Sequence, residues 1–184
     1  MRKKIAVVGA GVSGLTCGVV LAENGHPVTI LTAERGRATT SAAAAAIWFP
    51  YDTEADENAV GWALTTYRDL QELVADPATG VSMIELCCFA REGEITVPTW
   101  AGDLGARRLR ENIPDCFSSG FALDVPLTDT TRYLDYLAGR FARAGGVIID
   151  DRQLTSLGDV SSEFDVVVNC AGMGARALVR DADL

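Results

Sequence analysis

A short, unbroken aliphatic run, Ile5-Ala6-Val7-Val8, ends in Gly9-Ala10-Gly11-Val12-Ser13-Gly14, and no other feature restricts the fold of this chain so tightly. Such a run is the signature of a parallel strand buried on both faces. Leu15, Val19, Val20 and Leu21 follow, up to Asn24-Gly25, a segment of helix length closed by a C-cap signal. Val28-Thr29-Ile30-Leu31 then reads as a second strand. Gly9 permits the tight turn, Gly11 lets a pyrophosphate approach the backbone, and Gly14 lets helix and strand pack closely. The helix N-terminus offers N–H groups and partial positive charge to phosphates. Glu34 lies about twenty residues beyond Gly14, the separation that the dinucleotide fingerprint requires. Its carboxylate suits ribose hydroxyls and disfavours a 2′-phosphate, although Arg35 next door weakens that exclusion. The fingerprint alone does not separate FAD from NAD.

The 184 residues suffice for one large domain or one and a half small ones. A net charge of −9 repels polyanions, so nucleic acid and acidic membrane surfaces are not expected partners. No stretch approaches the roughly 18 apolar residues of a membrane helix. The glycine loop also interrupts any signal-peptide pattern behind Arg2-Lys3-Lys4. Five cysteines, Cys17, Cys87, Cys88, Cys116 and Cys170, lack metal or CxxC spacing. They fit a reducing, cytoplasmic compartment, with Cys17 and Cys170 read as core thiols. His26 is the only histidine and falls in a Gly-His-Pro turn. Neither a Ser-His-Asp triad nor a multi-histidine metal site can be built from this chain alone.

Thr39-Thr40-Ser41 precedes five alanines, Ala42 to Ala46, and then Ile47-Trp48-Phe49-Pro50-Tyr51. Propensity predicts a short helix capped by Thr40 or Ser41. Small side chains equally let a flat ligand lie on the backbone, and periodicity does not choose between the two. Asn58 to Val74 is amphipathic, with Val60, Ala63, Leu64, Tyr67, Leu70 and Val74 on one helical face. From Ser82 to Val97 the period changes to two, with Arg91-Glu92-Gly93-Glu94 as a hairpin turn. Phe121, Leu123 and Val125 form another alternating strand. Asp129 or Thr130 caps a helix carrying Tyr133, Leu134, Leu137 and Phe141, which stops at Gly145-Gly146. Val147-Ile148-Ile149 and Val166-Val167-Val168-Asn169-Cys170 return to strand, the second running into Ala171-Gly172-Met173-Gly174. The expected fold is α/β: a Rossmann-like domain, residues 1–80 and 140–184, with an inserted antiparallel sheet domain, residues 81–139, left incomplete.

GAGVSGLT at Gly9–Thr16, AER at Ala33–Arg35, TTSAAAAAIWFPY at Thr39–Tyr51, YLDYL at Tyr133–Leu137 and VVNCAGMGA at Val167–Ala175 together resemble the D-amino-acid oxidase family of flavoproteins. The resemblance implies FAD as cofactor. It makes Gly9, Ala10, Gly11, Val12, Ser13 and Gly14 the cofactor-binding loop, with Ala10, Val12 and Ser13 at the pyrophosphate, and places Glu34 and Arg35 at the adenosine ribose and nearby phosphates. Thr40 and Ser41 would hold the phosphates and ribityl chain, and the main chain of Leu154 would meet the adenine. Ala45, Ala46 and Ile47 would face the flavin ring. Ala171 stands where some relatives carry a threonine, so backbone contact alone is expected there. Ile47 and Phe49 would line the substrate pocket, and the apolar ring of Phe49 leans against an acidic substrate.

The activity so implied is oxidative deamination of a neutral or apolar D-amino acid by O2, releasing a 2-oxo acid, ammonia and hydrogen peroxide. The resemblance covers only the first half of a family chain. The arginine and tyrosines that hold the substrate carboxylate are expected in a C-terminal half, so no catalytic residue is assigned here and the chain alone is expected to be inactive. A glycine- or sarcosine-type amine oxidase and a non-catalytic FAD-binding module are the alternative readings. An NAD-dependent dehydrogenase is a third, on the glycine loop alone. Monomer and homodimer are both compatible with the sequence, and a peroxisomal location would suit a eukaryotic source.

Overall fold

The computed structural model describes residues 1–51 and 56–179. The chain begins with β1 (Ile5–Ala10), α1 (Val12–Glu23), β2 (Val28–Arg35) and the short α2 (Thr40–Ala43). Next come α3 (Glu57–Leu73), β3 (Val81–Ala90), α4 (Thr99–Asp103), β4 (Arg107–Arg108) and β5 (Ser119–Thr128). It closes with α5 (Thr130–Arg143), β6 (Val147–Ile149), β7 (Val166–Asn169) and α6 (Ala175–Val179). These elements form two compact units, Met1–Ala45 with Thr130–Leu184, and Ala46–Asp129.

In the first unit the strands run parallel in the order β6-β2-β1-β7. The β-branched runs read from the sequence all pair here, with Ile5 opposite both Val28 and Val166. Ile5, Val7, Val28 and Ile30 face α1 and α5, where Leu15, Val19, Leu134, Leu137 and Phe141 complete a buried core. α1 ends in an acid, Glu23, at the negative pole of its own dipole. Arg140 of α5 answers it with a two-pronged ion pair, Nε to Oε1 at 2.6 Å and Nη2 to Oε2 at 2.8 Å.

The second unit is an antiparallel sheet of order β3-β5-β4, paired from Val81 opposite Thr128 to Ala90 opposite Ser119. α3 packs Val60, Ala63, Leu64, Tyr67 and Leu70 against this core. Asp56 caps α3 by accepting from the Asn58 and Ala59 amides. Trp48, Tyr67 and Trp100 meet edge to face within it.

Three expectations are corrected. The units divide at Ala45/Ala46 and at Asp129/Thr130, not at residues 80 and 140. The two amphipathic helices decide this, because α3 buries its face on the antiparallel unit and α5 buries its face on the parallel one. Both stripes were legible, but a stripe does not name the sheet it will cover. Second, Ile95–Val97 does not return as a hairpin partner of β3, although a turn follows Ala90. The ten apolar-rich residues of β5 occupy that edge instead, and Pro98, with no N–H, follows directly. The Ile95 amide donates to Ser119 Oγ at 2.7 Å. Third, neither Thr40 nor Ser41 caps the alanine helix. Thr39 is the N-cap residue, without a side-chain cap bond, and its hydroxyl donates to the Gly36 carbonyl. The helix stops at Ala43, and Ala44 is extended. Residues 180–184, the end of the segment expected as helix or loop, lie outside the described residues.

Phe141 is fully buried between α1, α5 and the sheet. Phe141→Ala is expected to cost about 3–5 kcal/mol in denaturant unfolding. The Arg140 pair gives a pH signature. Its hydrogen bonds lower the Glu23 pKa below 4.5, so its stabilisation is present above that value and is lost as pH falls through the folded-state value. Both side chains are 38% exposed, which holds the contribution to under about 1 kcal/mol. Glu23→Gln should therefore unfold slightly earlier at neutral pH, and the difference should vanish in acid melts.

Candidate dinucleotide-binding site

The site is built where β1 runs out. Gly9 has φ +102°, a conformation that L side chains rarely adopt. A Cβ there would also stand 2.4 Å from the Cys170 carbonyl oxygen. Gly14 is tighter still, since its Cβ would meet the Gly9 carbonyl oxygen at 1.9 Å. The backbone at the end of β1 and the first turn of α1 therefore touch directly, which only glycine allows. Gly11 is the N-cap of α1 and brings no side-chain cap.

The first-turn amides of a helix have no intrahelical acceptor. Here the Val12 amide donates to Ser41 Oγ at 3.0 Å, which brings α2 to the loop. No acid occupies the first turn of α1, so nothing there repels phosphate. Ala10 and Ser13 complete this turn, with Ser13 exposed.

Glu34 sits on a bulge at the end of β2: between Val8 and Ala10 on β1, the partner strand advances from Leu31 to Arg35. The Thr32 hydroxyl donates to the Glu34 carbonyl at 2.5 Å and closes the bulge, leaving the carboxylate exposed. Arg35 pairs with Asp150, just beyond β6, at 3.1 Å. Ala171 lies against Gly9, and its amide donates to Asn169 Oδ1 at 3.2 Å while its carbonyl accepts from Gly174. Both polar groups of Ala171 are thus already bonded within the chain.

The structure brings Gly9, Ala10, Gly11, Val12, Ser13, Gly14, Ser41 and Ala171 to one place, with Glu34 and Arg35 on the adjoining strand end. Thr40 is exposed in α2, Ala45 ends this unit, and Leu154 lies half-buried in the connection after β6. Ala46, Ile47 and Phe49 belong to the second unit. There Ile47 bridges Leu127, and Phe49 meets Trp100 edge to face at 5.2 Å and Tyr51 at a tilt at 5.1 Å. Sequence reasoning missed Asp150, Asn169 and the Cys170 carbonyl. For Asn169 and Cys170 the signal was position, at the carboxyl end of a parallel strand where such sheets bind ligands, whereas the Asp150 contact depends on which strand β6 pairs with.

Glycine loop, helix N-terminus and ribose-side acid define a dinucleotide-binding α/β protein. The chain belongs to the DAO family of FAD dependent oxidoreductases, whose pattern it matches over residues 4–184. It is 37% identical over 180 residues to a D-amino-acid oxidase of Rubrobacter xylanophilus, and 38% identical over 179 residues to one of Streptomyces coelicolor. Each match covers 97% of this chain and 55% of the relative, so the chain spans about half the length of these proteins. A crystal structure of glycine oxidase from Geobacillus kaustophilus shares the fold, with a TM-score of 0.68 at 18% identity over 100% of this chain and 59% of that one.

The loop can be tested by one methyl group. Gly14→Ala should destabilise the chain by about 3 kcal/mol, at the upper end of overpacking costs, and abolish flavin binding. Gly61→Ala, with open space around it in α3, should instead raise stability by about 0.5–1 kcal/mol. Thermal melts with and without FAD measure both.

Proposed function

We propose that this chain is the FAD-holding portion of a D-amino-acid oxidase. The observation that carries the reading is the Gly9–Gly14 contact beneath a helix N-terminus whose N-cap, Gly11, brings no side chain, with Ser41 and Glu34 at its two sides. In it, the α1 amides and Ser41 hold the pyrophosphate, and the Glu34 carboxylate accepts from the ribose hydroxyls. Arg35, braced by Asp150, stands beside the adenosine phosphates. Ala171, against Gly9 and without a side-chain hydroxyl, offers backbone contact only. Leu154 lies by the adenine. Thr40 adds a hydroxyl toward the ribityl chain, and the backbone of Ala45, Ala46 and Ile47, bared at the two alanines, faces the flavin ring.

The chemistry that FAD supplies when bound is acceptance of two electrons from the substrate Cα–H bond and their delivery to O2. The protein's part is to fix the ring and to exclude water around it. Phe49, held by Trp100, favours a neutral or apolar D-amino acid over an acidic one, because an unpaired carboxylate against that ring would lose its hydration. The names of the relatives support a D-amino acid as substrate, without choosing among D-amino acids. No helix among the described residues is long and apolar enough to cross a membrane. A cytoplasmic location completes the proposal.

Purified chain mixed with FAD should gain bound absorbance near about 370 and 450 nm, and excess NAD should not displace it. Glu34→Ala should weaken FAD binding by about tenfold, the loss of one or two charge-assisted hydrogen bonds. D-alanine should not be oxidised by the 184 residues alone. Tight NAD binding without flavin binding would overturn the proposal.

A further inference from the structure

Two thiols stand beside the glycine loop, and dinucleotide binding uses neither. Cys17 lies three residues past Gly14, on the same face of α1 one turn further on. Cys170 follows β7, and its Cβ is 3.4 Å from where a Cβ on Gly14 would stand. The Cys17 sulfur is near enough to Cys170 to act, with burial, on its thiol, and both side chains are half-buried. They belong to the same compact unit although they are far apart in sequence. A bond between them would tie the start of α1 to the segment whose carbonyl closes over Gly9.

We propose that Cys17 and Cys170 form an oxidative modification site, a thiol pair that hydrogen peroxide converts to a disulfide across the base of the dinucleotide loop. One sulfur, as thiolate, attacks a peroxide oxygen; the O–O bond breaks, and the departing hydroxide takes a proton and leaves as water. The second thiol attacks the resulting sulfenic acid; the S–S bond forms, the S–O bond breaks, and a second water leaves. The pair gives up two electrons and two protons, and the peroxide is reduced to two waters.

Burial and the neighbouring sulfur push the Cys170 thiol up to about 11, so little thiolate is present at neutral pH. The reaction is accordingly slow beside that of a low-pKa sensor cysteine, and the pair responds to sustained exposure. The other thiols lack such an arrangement. Cys87 and Cys88 are consecutive on β3, so their side chains leave opposite faces of the strand. Cys116 is exposed. That the whole enzyme generates the peroxide rests on the oxidase reading above; the thiol pair itself does not.

The test uses the reduced 184-residue chain treated with millimolar hydrogen peroxide, once in native buffer and once in urea. Remaining thiols are alkylated and peptides mapped by mass spectrometry. The native chain should yield a predominant Cys17–Cys170 linked peptide, about 2 Da lighter than its two reduced peptides together. In urea that linkage should fall to its statistical share among the cysteines. Cys17→Ser should remove the linkage while retaining the native melting transition. A linked peptide no more abundant natively than in urea overturns the proposal, as does alkylation of both Cys17 and Cys170 after the exposed Cys87 and Cys116 have oxidised. The peroxide is added and no flavin is required, so failure of the oxidase reading would leave this result unaffected.

Discussion

The contact on which the rest of the parallel unit depends is backbone against backbone, where Gly14 meets the Gly9 carbonyl. With any Cβ at Gly14, α1 would have to lift away from the end of β1. Leu15 and Val19 would then withdraw from Ile5, Val7 and Ile30, and α5 would lose the groove that receives Phe141. The same contact aims the α1 amides past the sheet edge. Core formation and anion binding are therefore one geometric decision, made at a pair of glycines.

Around that contact, polar groups are spent on shaping backbone. Ser41 takes the Val12 amide, Thr32 closes the β2 bulge, and Asn169 holds Ala171. Each is a short side chain bonding to main chain at a strand end or loop, where no ladder partner is available. The consequence is a rim whose curvature is set before a ligand arrives, which lowers the ordering cost of binding.

The parallel unit was legible because its information is local. A β-branched run, a glycine triplet and an acid at fixed distance each act on their own neighbours. The antiparallel unit was less so. That β5 rather than Ile95–Val97 pairs with β3 follows from competition between segments far apart in the chain, and alternation is the same in both. α3 and α5 carried clear apolar stripes, yet which sheet each would cover is a tertiary choice, and the domain boundaries moved with it. In the site, the glycines, Glu34 and Ser41 could be read from spacing and resemblance, which also showed GMG ending a strand. Asp150 could not, since its role exists only because β6 pairs beside β2 and brings it to Arg35.

The antiparallel unit begins and ends at neighbouring points. The Thr128 amide donates to the Ala46 carbonyl at 2.8 Å, the Trp48 amide donates to Pro126, and Ile47 bridges Leu127. Its outgoing and returning backbones are thus clasped together before the chain resumes at α5. Seen from the parallel unit, eighty-odd residues behave as a single short connector whose closure entropy hardly depends on what lies beyond the clasp. Such a segment can lengthen, shorten or be exchanged wholesale while the nucleotide-facing fold keeps its register. Change on one side of the clasp can then accumulate without renegotiating stability on the other.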